Sequence, residues 1–192
     1  MILDIKVTLA SGSPRRKFLL SQIVRELETI SLDVDESFND STPKKEVAPL
    51  LAKRKMEAAL AMGKEGIIVT ADTIVVLEDK ILNKPADEKE ARLMLQMLSG
   101  KKHTVVTGFS TVNTNNGKRV DSAVETLVQF TNLTEDEITG YIATGSPYDK
   151  AGGYAAQEGY GSIFMERIEG CFYNVMGLPT NAVYRALKEV ME

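Results

Sequence analysis

The chain has 192 residues, 43% of them hydrophobic and 26% charged, enough for one sizeable domain or two small lobes of an ordinary globular protein. Its 23 Lys and Arg against 27 Asp and Glu leave a net charge of -4, which argues against a general nucleic-acid or membrane-surface binder, so an anionic ligand needs a local basic pocket. One cysteine, Cys171, and one histidine, His103, exclude an internal disulfide and a Cys/His zinc site.

The first predicted element is a strand over residues 5–10, which breaks into Ser11-Gly12-Ser13-Pro14. Apolar residues at helical spacing (Phe18, Leu19, Ile23, Leu27) predict a helix over 17–28, followed by a strand over 29–34. An acidic, polar stretch at 33–43 reads as a loop, and 44–62 as a helix capped by Gly63. Residues 67–77 read as a strand whose apolar run is interrupted by Ala71-Asp72-Thr73, and 78–80 as a turn into a short strand at 81–82. A helix is expected over 87–98, stopped by Ser99-Gly100. Two strands, 103–113 and 119–131, flank the turn signal Asn115-Asn116-Gly117. Thr134 opens a helix to residue 143, 149–162 is glycine-rich and irregular, 163–168 is a strand, and 180–191 is a terminal helix. The pattern is α/β with a mixed sheet, without repeats or a clear linker. No apolar run approaches membrane-spanning length, and no secretory signal is expected.

The strand-to-helix corner carries the densest signal. Ser13 suits an N-cap and Pro14 the first helical position. Arg15 and Arg16 follow directly, where a helix N-terminus already offers unpaired N–H groups and partial positive charge. With the Ser11 and Ser13 hydroxyls this makes a phosphate cradle. A solvated basic first turn is the bland alternative, but arginine there opposes the helix dipole unless an anion is present.

Asp72 lies among apolar neighbours, where an aspartate is costly unless partnered or functional. It reads as a general base or a metal ligand, against a structural aspartate bonded to nearby backbone. Thr73 beside it either holds a substrate or serves as a β-former. Lys84, one hairpin away, can share a site with Asp72, although lysines in such turns are usually solvated. Lys55 lies on a helix with Lys53 and Arg54 and by itself reads as part of a charged, exposed face. Glu36, with Asp33 and Asp35, offers hard oxygens for a divalent cation such as Mg²⁺, or merely a solvated loop. Gln157, in the glycine-rich stretch, could read a base edge with its amide donor and acceptor. No Walker pattern is present, and no GxGxxG follows a strand. His103 reads as a packing or structural residue rather than a catalytic one.

These segments, taken in order, resemble the Maf family of nucleotide pyrophosphatases. The resemblance runs from Leu9-Ala10-Ser11-Gly12-Ser13-Pro14-Arg15-Arg16 through Ala71-Asp72-Thr73, Asn83-Lys84-Pro85, Leu98-Ser99-Gly100 with His103, and Asp149-Lys150-Ala151-Gly152-Gly153-Tyr154 to Gly177-Leu178-Pro179. It implies one Maf-like domain over 1–192, with a mixed, elongated sheet flanked by helices and two lobes around a cleft, of the inosine-triphosphatase-like type. It implies cleavage of a nucleoside triphosphate between the α and β phosphates with a divalent metal, Mg or Mn, in a cytoplasmic protein associated with nucleotide housekeeping and arrest of septum formation. Asp72, Lys84 and Lys55 are then the catalytic residues, Ser11, Ser13, Arg15, Arg16, Thr73 and Gln157 contact substrate, and Glu36 and Asp72 hold the metal. The Ala-Asp-Thr form with Gln157 resembles the branch acting on dTTP and UTP; the branch acting on 7-methyl-GTP carries Ser-Asp-Gln. One departure stands out: the usual Gly-Ile-Gln-Gly is here Ala155-Ala156-Gln157-Glu158. The rival class is a nucleotide-binding regulator of cell division without turnover. Expected partners are the nucleotide alone, with no nucleic acid or membrane, and a homodimer left open.

Overall fold

A computed structural model describes residues 2–192. In chain order the elements are β1 (Leu3–Ala10), α1 (Pro14–Ser21), β2 (Val24–Ile30), α2 (Lys44–Ala61), β3 (Ile67–Leu77), β4 (Lys80–Leu82), α3 (Glu88–Leu98), β5 (Lys102–Asn113), β6 (Lys118–Phe130), α4 (Glu135–Ala143), two 3-10 turns (Ser146–Asp149 and Ala151–Gly153), α5 (Gly159–Phe164), β7 (Met165–Glu169), α6 (Phe172–Val175) and α7 (Thr180–Met191). The strands form one seven-stranded sheet in the order β2-β1-β3-β5-β6-β7, with β4 paired to β3. β1 runs parallel to both β2 and β3, whereas β3–β4 and β6–β7 are antiparallel, so the sheet is mixed as expected. Among the described residues no helix is long and apolar enough to cross a membrane.

The chain divides into two compact units. The first takes the chain up to Thr73, Thr107–Val124 and Gly177–Glu192; the second takes Ile74–Val106 and Glu125–Met176. In the first unit β1 lies between β2 and β3, so Val7 to Ala10 are buried. Ala10, Met56, Ala59, Ile68 and Val112 form a core that Ile30, Leu32 and Leu60 cover. α2 lies close against β5 at Gly108, where a Cβ would collide with the backbone of Ala48 and Pro49. Only glycine permits that approach.

The second unit packs Leu95, Leu98, Val105, Val128, Ile138, Tyr141 and Phe164 into its own core. Its helices start on good caps. Asp87 accepts from the Glu90 N–H at 2.8 Å, and Thr134 with Glu137 closes a reciprocal capping box. His103 is buried there, as a structural residue. Its Nε2 lies 2.7 Å from Tyr154 Oη, and its ring stands edge-on to Phe130 and Tyr154.

Three sequence readings are corrected. The helix expected over 17–28 ends at Ser21, and residues 24–30 are the edge strand β2. Val24, Leu27 and Ile30 recur every third residue and so mimic a helix face, but parallel pairing to β1 (Val7↔Leu27, Ala10↔Ile30) satisfies that backbone instead. The strand expected over 29–34 accordingly ends at Ile30. The last strand begins at Met165, because α5 occupies 159–164.

Candidate active site

The expected site residues on the first unit begin at the corner between β1 and α1. Ser13 caps α1, its Oγ accepting from the Arg16 N–H at 3.4 Å, with Pro14 opening the helix. Ser11 Oγ accepts from the Ser13 N–H at 3.2 Å. The loop hydroxyls therefore take up the N–H groups of Ser13 and Arg16, and Pro14 has none. Less backbone capacity is left for an anion than a bare helix terminus offers, which shifts the anion-binding burden to the arginines.

Arg16 reaches across this corner. Its Nε donates to the Gly177 carbonyl at 3.0 Å, Nη1 to Ser11 Oγ at 3.3 Å and Nη2 to Thr73 Oγ1 at 3.1 Å. Three of its five donors are thus spent on the protein, two of them tying the corner to β3 and to the segment before α7. Desolvation lowers the Arg16 guanidinium from its ordinary value; Asp72 and Glu36 oppose that, and Arg15 adds to it. Thr73 Oγ1 also donates to the Gly177 carbonyl at 3.3 Å and lies 2.9 Å from Thr107 Oγ1.

Asp72 follows Ala71 on β3 and is 8% exposed. Lys55, on α2, brings its Nζ to 2.5 Å from Asp72 Oδ1 and 2.7 Å from Glu36 Oε1. The Lys55 side chain is 13% exposed, so it is no member of an open charged face. Its basic neighbour Arg54 reaches the backbone of the same loop. Arg54 Nη1 donates to the carbonyls of Asp35 and Ser37, the latter at 2.7 Å, and so grips the loop on either side of Glu36. Within that loop Asp35 accepts from the Ser37 N–H at 2.8 Å and from its hydroxyl at 2.6 Å. Those bonds lower the Asp35 carboxyl from its ordinary value.

Two hard carboxylates thus converge on one positive charge, the donor chemistry that Mg²⁺ or Mn²⁺ takes. Among the described residues no group of three or more His, Cys, Asp and Glu gathers for a metal. A cation held here would rely on two protein carboxylates and complete its shell with phosphate oxygens and water, a usual arrangement for Mg²⁺. The residues fit the group.

Lys84 and Gln157 belong to the second unit. Lys84 is exposed in the segment after β4. Gln157 lies between the second 3-10 turn and α5, beside Glu158. The structure thus gathers Ser11, Ser13, Arg16, Glu36, Lys55, Asp72 and Thr73 by direct contact and places Arg15 on the same helix turn as Arg16, whereas Lys84 and Gln157 are carried separately. Sequence reasoning missed Arg54, Lys150 and Asn174. Lys150 is 6% exposed and bonds Asp149 Oδ1 and the Ser146 carbonyl. Asn174 is fully buried and donates to the Val105 carbonyl and Thr126 Oγ1. Only Lys150 carried a signal, as a lysine inside a glycine-rich motif.

Comparison with known proteins adds the following. The family model described as Maf-like protein matches residues 6–190. The chain is 44% identical over 184 residues to a dTTP/UTP pyrophosphatase of Thermoanaerobacter sp. (strain X514), covering 96% of each chain. It is 46% identical over 186 residues to a dTTP/UTP pyrophosphatase of Carboxydothermus hydrogenoformans, covering 96% of this chain and 98% of that one. A solved structure, the nucleoside-triphosphatase / dITP/XTP pyrophosphatase of Mycobacterium abscessus, aligns with TM-score 0.45 and 16% identity over 97% of this chain and 98% of that one.

Proposed function

This chain belongs to the Maf-like protein family, and on that premise we propose that it is a dTTP/UTP pyrophosphatase, cutting the triphosphate between its α and β phosphates. The observation that carries the reading is the buried Asp72 carboxylate, paired through Lys55 with Glu36 and lying in the electrostatic reach of the Arg16 guanidinium. A negatively charged substrate brought to arginines, beside a buried carboxylate with a fixed cation, is the arrangement that phosphoanhydride hydrolysis needs.

In this reading a water oxygen attacks the α phosphorus, the water proton passes to Asp72, and the bond to the bridging oxygen breaks to release pyrophosphate and the monophosphate. Asp72 Oδ1 is held by Lys55 Nζ, which fixes the carboxylate in place to take that proton. Arg15, with the donors Arg16 has left, and the hydroxyls of Ser11 and Ser13 hold phosphate oxygens, while Thr73, whose one proton goes to the Gly177 carbonyl, positions Arg16 beside them. Lys84 neutralises charge on the leaving group. Gln157 reads the base. A divalent cation, when bound, is held by Asp72 and Glu36 and supplies charge neutralisation and Lewis acidity toward the phosphates. The whole of 1–192 acts as one Maf-like domain, in the cytoplasm, on free nucleotides.

Product identification tests the reading. The protein is incubated with Mg²⁺ and a panel of dTTP, UTP, CTP, GTP, ATP and 7-methyl-GTP. Pyrophosphate and monophosphate from dTTP and UTP are expected. Orthophosphate with diphosphate would overturn the cleavage position, and preference for 7-methyl-GTP would overturn the base assignment. Tight binding without turnover under any metal would favour the regulator.

A further inference from the structure

Gln157 and Glu158 sit side by side on the second unit, and their geometry decides which end of the Gln157 amide is on offer. Glu158 is itself held. Its Oε2 accepts from the Ser146 hydroxyl at 3.0 Å and lies 3.3 Å from Lys150 Nζ. Lys150 is in turn fixed by the Ser146 carbonyl at 2.8 Å and by Asp149 Oδ1 at 2.5 Å, with its side chain 7% exposed. The other oxygen of Glu158, Oε1, accepts from Gln157 Nε2 at 3.0 Å.

An ionised carboxylate only accepts hydrogen bonds, so the end of the amide that faces it has to be the NH₂. Turning the amide over would set Oε1 against the carboxylate and lose a charge-assisted bond. Gln157 Oε1 is left buried with no hydrogen-bond partner among the described residues. A buried, unsatisfied carbonyl is costly, and the missing donor has to come from outside these residues.

We infer that Glu158 is a specificity-determining positioning residue: it locks the Gln157 amide so that the carbonyl alone is presented to the base, which selects an imide N3–H, as in uracil and thymine, over the bare N3 lone pair of cytosine. The inference rests on the reading of Gln157 as the base reader. The relation has a clear chemical logic. A free amide can turn either way and so serve a donor or an acceptor, whereas one whose NH₂ is committed to a fixed carboxylate serves a donor only. The Glu158 carboxylate thus sharpens discrimination through its neighbour.

The test measures kcat and KM for UTP, CTP and N3-methyl-UTP, which lacks the imide proton, on the wild-type chain and on Glu158→Ala, Glu158→Gln and Gln157→Ala. Thermal unfolding and circular dichroism establish that each variant is folded. The wild type is expected to prefer UTP over both analogues. Glu158→Ala reduces the UTP:CTP ratio of kcat/KM by about tenfold, with the change mainly in KM, the loss expected when one oriented hydrogen bond is surrendered. Glu158→Gln falls between, because its amide can face Gln157 either way round. Gln157→Ala removes the discrimination against N3-methyl-UTP. If Gln157→Ala removes that discrimination while both Glu158 variants keep the wild-type ratios, the role of Glu158 is overturned and base reading by Gln157 stands. If Gln157→Ala keeps the discrimination, base reading fails and the inference with it. A wild type that releases no pyrophosphate from UTP overturns the proposed function itself.

Discussion

Lys55 Nζ lies 2.5 Å from Asp72 Oδ1, joining α2 to β3 by an ion pair whose side chains are 13% and 11% exposed. The same ammonium reaches Glu36 at 2.7 Å, so one cation separates two carboxylates that would otherwise repel. Burial of an aspartate within an apolar strand becomes tolerable through this partner.

Asp72→Asn should remove turnover while leaving the fold in place. The amide keeps the shape and loses the proton-accepting charge, so kcat for dTTP and UTP should fall on the order of 10²- to 10⁴-fold. Pyrophosphate release and circular dichroism are the two measurements. A folded variant with wild-type kcat would reject Asp72 as the base.

Lys55→Met should destabilise the apo protein by about 3–5 kcal/mol, because removal of one partner strands a buried charge. Added Mg²⁺ should raise the thermal midpoint of this variant more than that of the wild type, since a metal on Asp72 and Glu36 replaces the lost positive charge. Chelation should reverse that gain. Equal responses of the two proteins to Mg²⁺ would argue against a metal on these carboxylates.

Gly108→Ala should cost at least about 1–3 kcal/mol in urea unfolding. A methyl at this position meets the backbone of Ala48 and Pro49, which cannot rotate aside as a side chain would. Because Pro49 lies within α2, as the sixth residue of that helix, the variant should also lower activity by displacing the helix that carries Lys55. Unchanged stability would mean that α2 adjusts freely.

His103 should give the fold a defined pH dependence. Burial lowers its pKa from 6.5 to about 4, and the facing Tyr154 hydroxyl, raised by its own burial, stays neutral over this range. Between those values the unfolded chain binds the proton and the folded one does not, so stability falls as pH falls from about 6.5 to about 4. The difference between the two values corresponds to roughly 3 kcal/mol. The unfolding free energy of the wild type minus that of His103→Gln, followed across this window, should decline by that order; a flat difference would show that His103 charges without cost.

Much of the fold was legible because local rules and global structure agree. Ser13, Asp87 and Thr134 cap the helices expected after them, and Asn115-Asn116-Gly117 turns β5 into β6, with Gly117 at a φ of +73°. Agreement failed at β2, where three-residue apolar spacing suits a helix as well as an edge strand and the neighbour β1 decides. It failed also for Lys55 and Arg54, which stand in the basic run Lys53-Arg54-Lys55.

By itself the sequence determined the α/β order of elements, the Ser13–Pro14 cap, the burial of Asp72 in an apolar run and, through its ordered motifs, the family. These depend on residues close together in the chain, where propensity, capping and period act directly. Only the tertiary structure decided that Lys55 rather than another of its basic neighbours meets Asp72, that Arg54 grips the loop bearing Glu36, that Arg16 spends three donors on the protein, and that Glu158 turns the Gln157 amide. Each of these is a choice among chemically similar groups, settled by which side chain the packing of one element on another brings within hydrogen-bond reach.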